Sequence, residues 1–185
     1  AITVCGSGTF VSNAAGSGDT VEISNSSCGG GENNSLWLKI TIVQTGTLGF
    51  NLTPDDPAIT VDYDFYIFRA DNGCAGKGSP IRCCTTNPEL AGLTSNVTGM
   101  NGTESTTTAG PSGNGNGFVR WLDVAVGEEY YIAIDRPVGD GGFTLEWIGS
   151  ATAGNGAFPI PPTINNIPDY VACGSNPGYG LFSFD

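Results

Sequence analysis

The chain has no histidine, and it carries only 6 Lys and Arg against 18 Asp and Glu, for a formal net charge of −12 over 185 residues. Without histidine it lacks the commonest general base and the commonest zinc ligand. Ser-His-Asp and Cys-His catalysis are therefore excluded within this chain. The scarcity of basic residues argues against nucleic acid and against anionic membrane surfaces, both of which need a cationic face. No run of ~20 apolar residues is present to span a bilayer as a helix. The first residues show neither the basic region nor the apolar stretch of a signal peptide, so an exported form is read as a mature chain or a fragment of a longer one. None of the cysteines forms a Cys-x-x-Cys pair, which disfavours a zinc ribbon.

What is abundant points to strands and turns. The chain has 29 Gly and 11 Pro among many Thr, Asn and Ser, the composition of short strands joined by turns. The densest aromatic run is residues 62–68, Asp-Tyr-Asp-Phe-Tyr-Ile-Phe. In an extended strand its side chains alternate, with Tyr63, Phe65 and Ile67 on one face and Asp62, Asp64, Tyr66 and Phe68 on the other. A strand apolar on nearly both faces belongs in the middle of a packed sheet. Residues 35–43 alternate cleanly, Leu36, Leu38, Ile40 and Ile42 against Trp37, Lys39 and Thr41. Further strands are expected at 8–13, 19–24, 47–53, 80–84, 118–126, 129–135 and 143–148, and the stretch 87–116 as a long irregular surface loop. No helix is expected. The fold class is all-β, a two-sheet antiparallel sandwich of jelly-roll type.

The organisation follows the composition. Residues 1–150 form the sandwich. Residues 151–168 are a Pro/Gly-rich linker stiffened at Pro161-Pro162. Residues 169–185 are too short to bury a core alone, so they either open a next module or donate a strand to a neighbour.

Six cysteines stand at Cys5, Cys28, Cys74, Cys83, Cys84 and Cys173. An even count in an acidic Gly/Thr/Asn-rich chain reads as disulfides in an oxidising compartment. Cys5–Cys28 and Cys74–Cys83 are favoured, because each closes a loop between adjacent strands. Cys83 and Cys84 point to opposite faces of one strand and need different partners. Cys84 and Cys173 either pair with each other or leave Cys173 to a following module.

The order of motifs carries a resemblance. Cys5 is followed by Leu36-Trp-Leu-Lys-Ile, Gly46-Thr-Leu-Gly-Phe, Asp62-Tyr-Asp-Phe-Tyr-Ile-Phe and Pro80-Ile-Arg-Cys. Then come Gly117-Phe, Gly127-Glu-Glu-Tyr-Tyr-Ile-Ala-Ile-Asp and Gly142-Phe-Thr-Leu-Glu-Trp. Over residues 5–150 this resembles the CUB-like jelly-roll modules of large surface adhesins of gliding bacteria that use type IX secretion. The resemblance implies a secreted, non-catalytic adhesion or surface-filament module at the cell surface, with neighbouring copies or surface glycans as partners. In CUB modules proper, acidic residues can hold calcium. The chain departs from them in the Cys83-Cys84 doublet and in the long 87–116 stretch.

The candidate metal ligands are Asp62, Asp64 and Asp135, with Asp55, Asp56 and Asp140 as further oxygen sources in turns. Two carboxylates at i, i+2 share a face and repel unless a cation or water separates them, and calcium takes several hard oxygens. The competing reading is ordinary turn and edge carboxylates that accept backbone N–H bonds. Pairing Asp62 or Asp64 with Glu128 or Glu129 as acid and base would give a glycosidase. Trp37, Tyr66, Trp121 and Tyr131 are candidates for a sugar-stacking platform, as in an accessory carbohydrate-binding module of a secreted hydrolase, unless the core consumes them. Asp19-Thr20-Val21 resembles a short O-glycosylation signal, with Thr20 as acceptor.

Overall fold

In the computed structural model, residues 1–16, 20–23 and 28–161 are described. Among them run the strands β1 (Ile2–Thr3), β2 (Phe10–Ser12), β3 (Ser35–Thr41), β4 (Gly46–Pro54), β5 (Asp62–Arg69) and β6 (Arg82–Thr86). They are followed by β7 (Thr98–Asn101), β8 (Thr108–Ser112), β9 (Phe118–Arg120), β10 (Leu122–Val124), β11 (Glu129–Val138) and β12 (Phe143–Ile148). One 3-10 turn, Ser150–Thr152, is the helical element of the described residues.

The strands form an all-β two-sheet sandwich. The first sheet has the order β1-β3-β11-β5-β6-β8 and the second β2-β12-β4-β7-β9, with β10 also paired to β4. Most pairs are antiparallel, but β1–β3, β6–β8 and β7–β9 are parallel, so both sheets are mixed at their edges. The wholly antiparallel expectation is corrected there.

Alternation explains the core. Leu38, Phe65, Ile67, Ile132 and Ile134 of the first sheet meet Leu48, Phe50, Leu52, Phe143 and Leu145 of the second, all essentially without solvent contact. Phe50 meets Phe65 edge-on at 4.9 Å between ring centroids. Side chains of this size stabilise by about 1.5–3 kcal/mol each on full burial. Asp62, Asp64, Tyr66 and Phe68 point to the other side of the first sheet, as the period of two requires. A second, smaller cluster covers that outer face: Ile23, Cys28, Tyr66, Phe68, Cys83 and Ala133.

Several expectations are corrected. The disulfide is Cys28–Cys83, while Cys5 and Cys74 are free and exposed and Cys84 is free and buried. The reason is topological. Cys83 faces outward from β6, and the 28–34 segment crosses the outer face of the first sheet, bringing Cys28 over it. The loop after β5 instead carries Cys74 toward Trp37 and Lys39 on β3, away from β6. Cys84 points into the core, and Cys173 lies outside the described residues. The stretch 87–116 holds two strands, β7 and β8, rather than loop alone. Residues 20–23 form no strand. The 118–126 strand is broken at Trp121 into β9, which pairs with β7, and β10, which pairs with β4.

Between residues 151 and 159 the chain stays packed against the body. Ala157 and Phe158 are fully buried, and Phe158 meets Trp147 edge-on at 4.6 Å. Val43 N–H donates to Ala157 O and Gly6 N–H to Pro159 O. The packed body thus reaches into the stretch read as linker. The expected tail, 169–185, lies outside the described residues.

Candidate metal centre on the outer face

The three aspartates picked from the sequence come together. Asp135 of β11 stands directly opposite Asp64 of β5, and Val138 opposite Asp62, with a bulge between Asp135 and Val138. Asp62 and Asp64 lie on one face of β5, roughly 7 Å apart along the strand. Asp62 is 4 % exposed, Asp64 3 % and Asp135 0 %, so none is a solvated edge carboxylate.

Their hydrogen bonds divide them. Asp135 Oδ1 accepts from the backbone N–H groups of Asn33 at 2.7 Å and Asn34 at 2.9 Å, and its Oδ2 accepts from Asn33 Nδ2 at 2.8 Å. Its role is to anchor the 28–34 segment over the sheet. Asp62 Oδ2 accepts from Asn87 Nδ2 at 2.9 Å. Two of the other oxygens, Asp62 Oδ1 and Asp64 Oδ1, are buried, and no donor among the described residues reaches them. Among the described residues no basic side chain forms an ion pair with them either. The ion pairs of the described residues, Lys39–Glu129, Arg69–Glu128 and Arg120–Asp123, lie elsewhere.

The electrostatic result is a pair of carboxyls that resist ionisation. Burial pushes Asp62 up to about 6, against the hydrogen bond from Asn87 and aided by the charge of Asp135. Burial, then repulsion from Asp62 and Asp135, drives Asp64 well above the ordinary carboxylate range. Burial also raises Asp135, although its three hydrogen bonds oppose the shift. A buried carboxylate this poorly compensated demands a proton or a cation.

The pair opens into a cleft of about 350 Å³ that also touches Gly30, Thr85, Asn87 and Ser112. Gly30 is required there. Its φ is +74°, and a Cβ would fall 2.2 Å from Tyr66 Oη and 3.4 Å from Asp64 Oδ2. The donor set fits a hard cation in kind: two anionic oxygens with no competing donor, in a cleft that water can enter. Among the described residues no group of three or more Asp, Glu, Cys or His side chains stands in a metal-holding arrangement. Asp135 is spent on Asn33 and Asn34, so Asp62 and Asp64 are the pair available.

The chain matches no protein-family model, no curated protein and no solved structure.

The other sequence candidates scatter. Asp55, Asp56 and Asp140 are exposed in turns, and Asp56 Oδ1 accepts from Ala58 N–H at 2.9 Å, as a turn carboxylate does. Thr20 is exposed. Glu129 stands six residues before Asp135 on β11, roughly 20 Å along the strand, beyond the separation of a glycosidase acid–base pair. Glu128 is held in its ionised form. Burial would raise it, but hydrogen bonds from Arg69, Ala125 N–H and Tyr130 hold it at about 2.

The aromatic candidates also separate. Tyr66 is fully buried, and Trp121 packs against the main core. Trp37 and Tyr131 remain half-buried on the outer face of the first sheet. Sequence reading missed Asn33, Asn34, Asn87 and Gly30. The only signal for them was a Gly/Asn-rich loop next to a cysteine.

Proposed function

We propose that this domain is a non-catalytic extracellular adhesion or surface-filament module whose outer sheet face is steadied by calcium. The observation that carries the reading is the pair of buried, unpartnered oxygens on Asp62 and Asp64 beneath a disulfide-anchored cover. Both features suit the space outside cells. Disulfides persist in oxidising compartments. Calcium there is plentiful enough to fill sites of 10⁻⁴–10⁻³ M affinity, the order found in extracellular modules. Asp62 and Asp64 would hold the ion with backbone or water oxygens, and the bound charge would relieve their repulsion and fix the cover to the sheet. A body stiffened in this way presents a surface without moving parts, as an adhesion module requires.

Partners on this reading are neighbouring copies or modules of the same surface protein. The filament form has residues 169–185 adding a strand to an exposed sheet edge of the next copy. Crosslinking with native mass spectrometry tests it, and tail crosslinks confined to the parent domain would count against it. The alternative is an accessory carbohydrate-binding module of a secreted hydrolase, favoured by the half-buried Trp37 and Tyr131. The length of the parent polypeptide separates the two, since the alternative requires a catalytic domain in the same chain.

The test of the calcium reading is the melting temperature in calcium against chelator, with elemental analysis of the purified protein. A native-state ligand raises stability by mass action. An unchanged melting temperature together with no bound calcium removes the metal from the proposal.

A further inference from the structure

A second concavity lies on the same outer face and shares no lining residue with the acidic cleft. It encloses about 380 Å³ between Trp37, Tyr131, Lys39, Glu22, Cys74 and Ala1. We propose that this groove is a glycan subsite that takes one neutral pyranose unit. The inference rests on the non-catalytic recognition reading above and adds to it the ligand class and the surface.

Three observations point to that ligand. Two of the lining residues, Trp37 and Tyr131, are aromatic. Tyr131 sits beside Lys39 of β3 and Phe68 of β5, with Trp37 in the next row of β3. A pyranose ring has an apolar C–H face that packs on such rings, and a rim of hydroxyls that need hydrogen-bond partners. Among the lining residues Glu22, Lys39 and Tyr131 carry polar groups able to supply them.

The second observation is that the Trp37 wall is already fixed. Glu32 accepts from Trp37 Nε1 at 2.8 Å and from Ser35 Oγ at 2.5 Å, and Glu22 N–H donates to Glu32 Oε2 at 2.8 Å. Trp37 also stacks on Phe68 at 5.6 Å, with the Lys77 ammonium over both rings at 5.8 and 5.5 Å. One carboxylate thus ties the Trp37 wall to the Glu22 rim before any ligand arrives, which spares the ordering cost of binding.

The third is charge. Lys39 is paired with Glu129 at 3.0 Å, and Glu22 adds a carboxylate to the lining. With a chain charge of −12, an acidic polysaccharide is repelled, whereas a neutral, hydroxyl-rich ring meets no penalty.

The test uses the full 185-residue chain in calcium. A glycan array comes first. Titration calorimetry and saturation-transfer NMR follow with methyl glycosides of glucose, galactose, mannose and N-acetylglucosamine, and with polygalacturonate as the acidic control. Binding to at least one neutral glycoside is expected, with the aromatic protons of Tyr131 and Trp37 in the transfer spectrum. Tyr131→Ala and Glu22→Gln should each weaken it tenfold or more, while near-ultraviolet circular dichroism and the calcium response stay as in the wild type. Trp37→Phe, which keeps an aromatic wall, should retain measurable binding. Absence of binding to every neutral glycoside at millimolar concentration overturns the inference, as does binding that Tyr131→Ala leaves unchanged, or binding to polygalacturonate alone. Adhesion to protein partners without any glycan binding would end this inference and leave the module reading standing.

Discussion

Asp64 concentrates the argument at the scale of single residues. Its Oδ1 is buried and unpartnered, and its nearest charges are the like charges of Asp62 and Asp135. Asp64→Asn keeps the shape and removes one charge from the cluster. In chelator the variant should therefore melt higher than wild type, and added calcium should no longer raise its melting temperature; differential scanning calorimetry reads both. The pH dependence has a definite sign. Asp62 titrates at about 6 in the folded protein against its ordinary 3.8, so the folded state holds that proton more tightly than the unfolded chain. Its ionisation opposes folding fully above pH 6, and the penalty fades as pH falls from 6 toward 3.8. Accordingly, the melting-temperature gain of Asp62→Asn over wild type, measured in chelator, should be largest above pH 6 and shrink toward pH 4. A gain that grows on acidification would reverse the assignment. Gly30→Ala should lose the calcium response, because the new methyl group collides with Tyr66 Oη beside Asp64 and the φ of +74° suits glycine.

At the scale of elements, β5 shows what sequence makes legible. Its aromatics alternate without a gap, so both the strand and the face carrying Asp62 and Asp64 follow from a period of two. Phe65, fully buried and edge-on to Phe50, should cost about 3–5 kcal/mol on Phe65→Ala, measured by urea unfolding. Exposed Leu90→Ser should stay within about 0.5 kcal/mol of wild type. β7 and β8 were illegible for a physical reason. Thr98 and Met100 are the only core-facing residues of β7, and Gly99 between them is small so that its backbone can approach Phe50 O. β8 contains Gly110-Pro111, which reads as a turn. Both strands take parallel partners distant in sequence, which no local pattern announces. The disulfide was misjudged likewise. Strand adjacency suggested Cys74–Cys83, but the 28–34 segment crosses the sheet and sets Cys28 over Cys83. The pair Asp64–Asp135 was within reach of sequence only as two acidic strand ends; the register that sets them face to face was not.

For the whole molecule, the outer cover of the first sheet unites the parts. Cys28–Cys83, Asp135 with Asn33 and Asn34, and Glu32 with Trp37 fasten one segment over the face that carries both the acidic cleft and the aromatic groove. The cysteines are 55 residues apart, so removing the bridge by Cys28→Ser with Cys83→Ser should cost about 4 kcal/mol through loop-closure entropy, read from the urea midpoint. Loss of the bridge should also weaken the calcium response, since the cover that buries Asp64 is then held without a covalent tie, by hydrogen bonds and the packing of the outer cluster. The most direct test of the account is the calorimetric melt of the wild type and Asp64→Asn at pH 7.5, each in millimolar calcium and in chelator. The account predicts that calcium raises the wild-type melting temperature by several degrees and leaves the variant unmoved. An equal shift in both proteins, or none in the wild type, would contradict it.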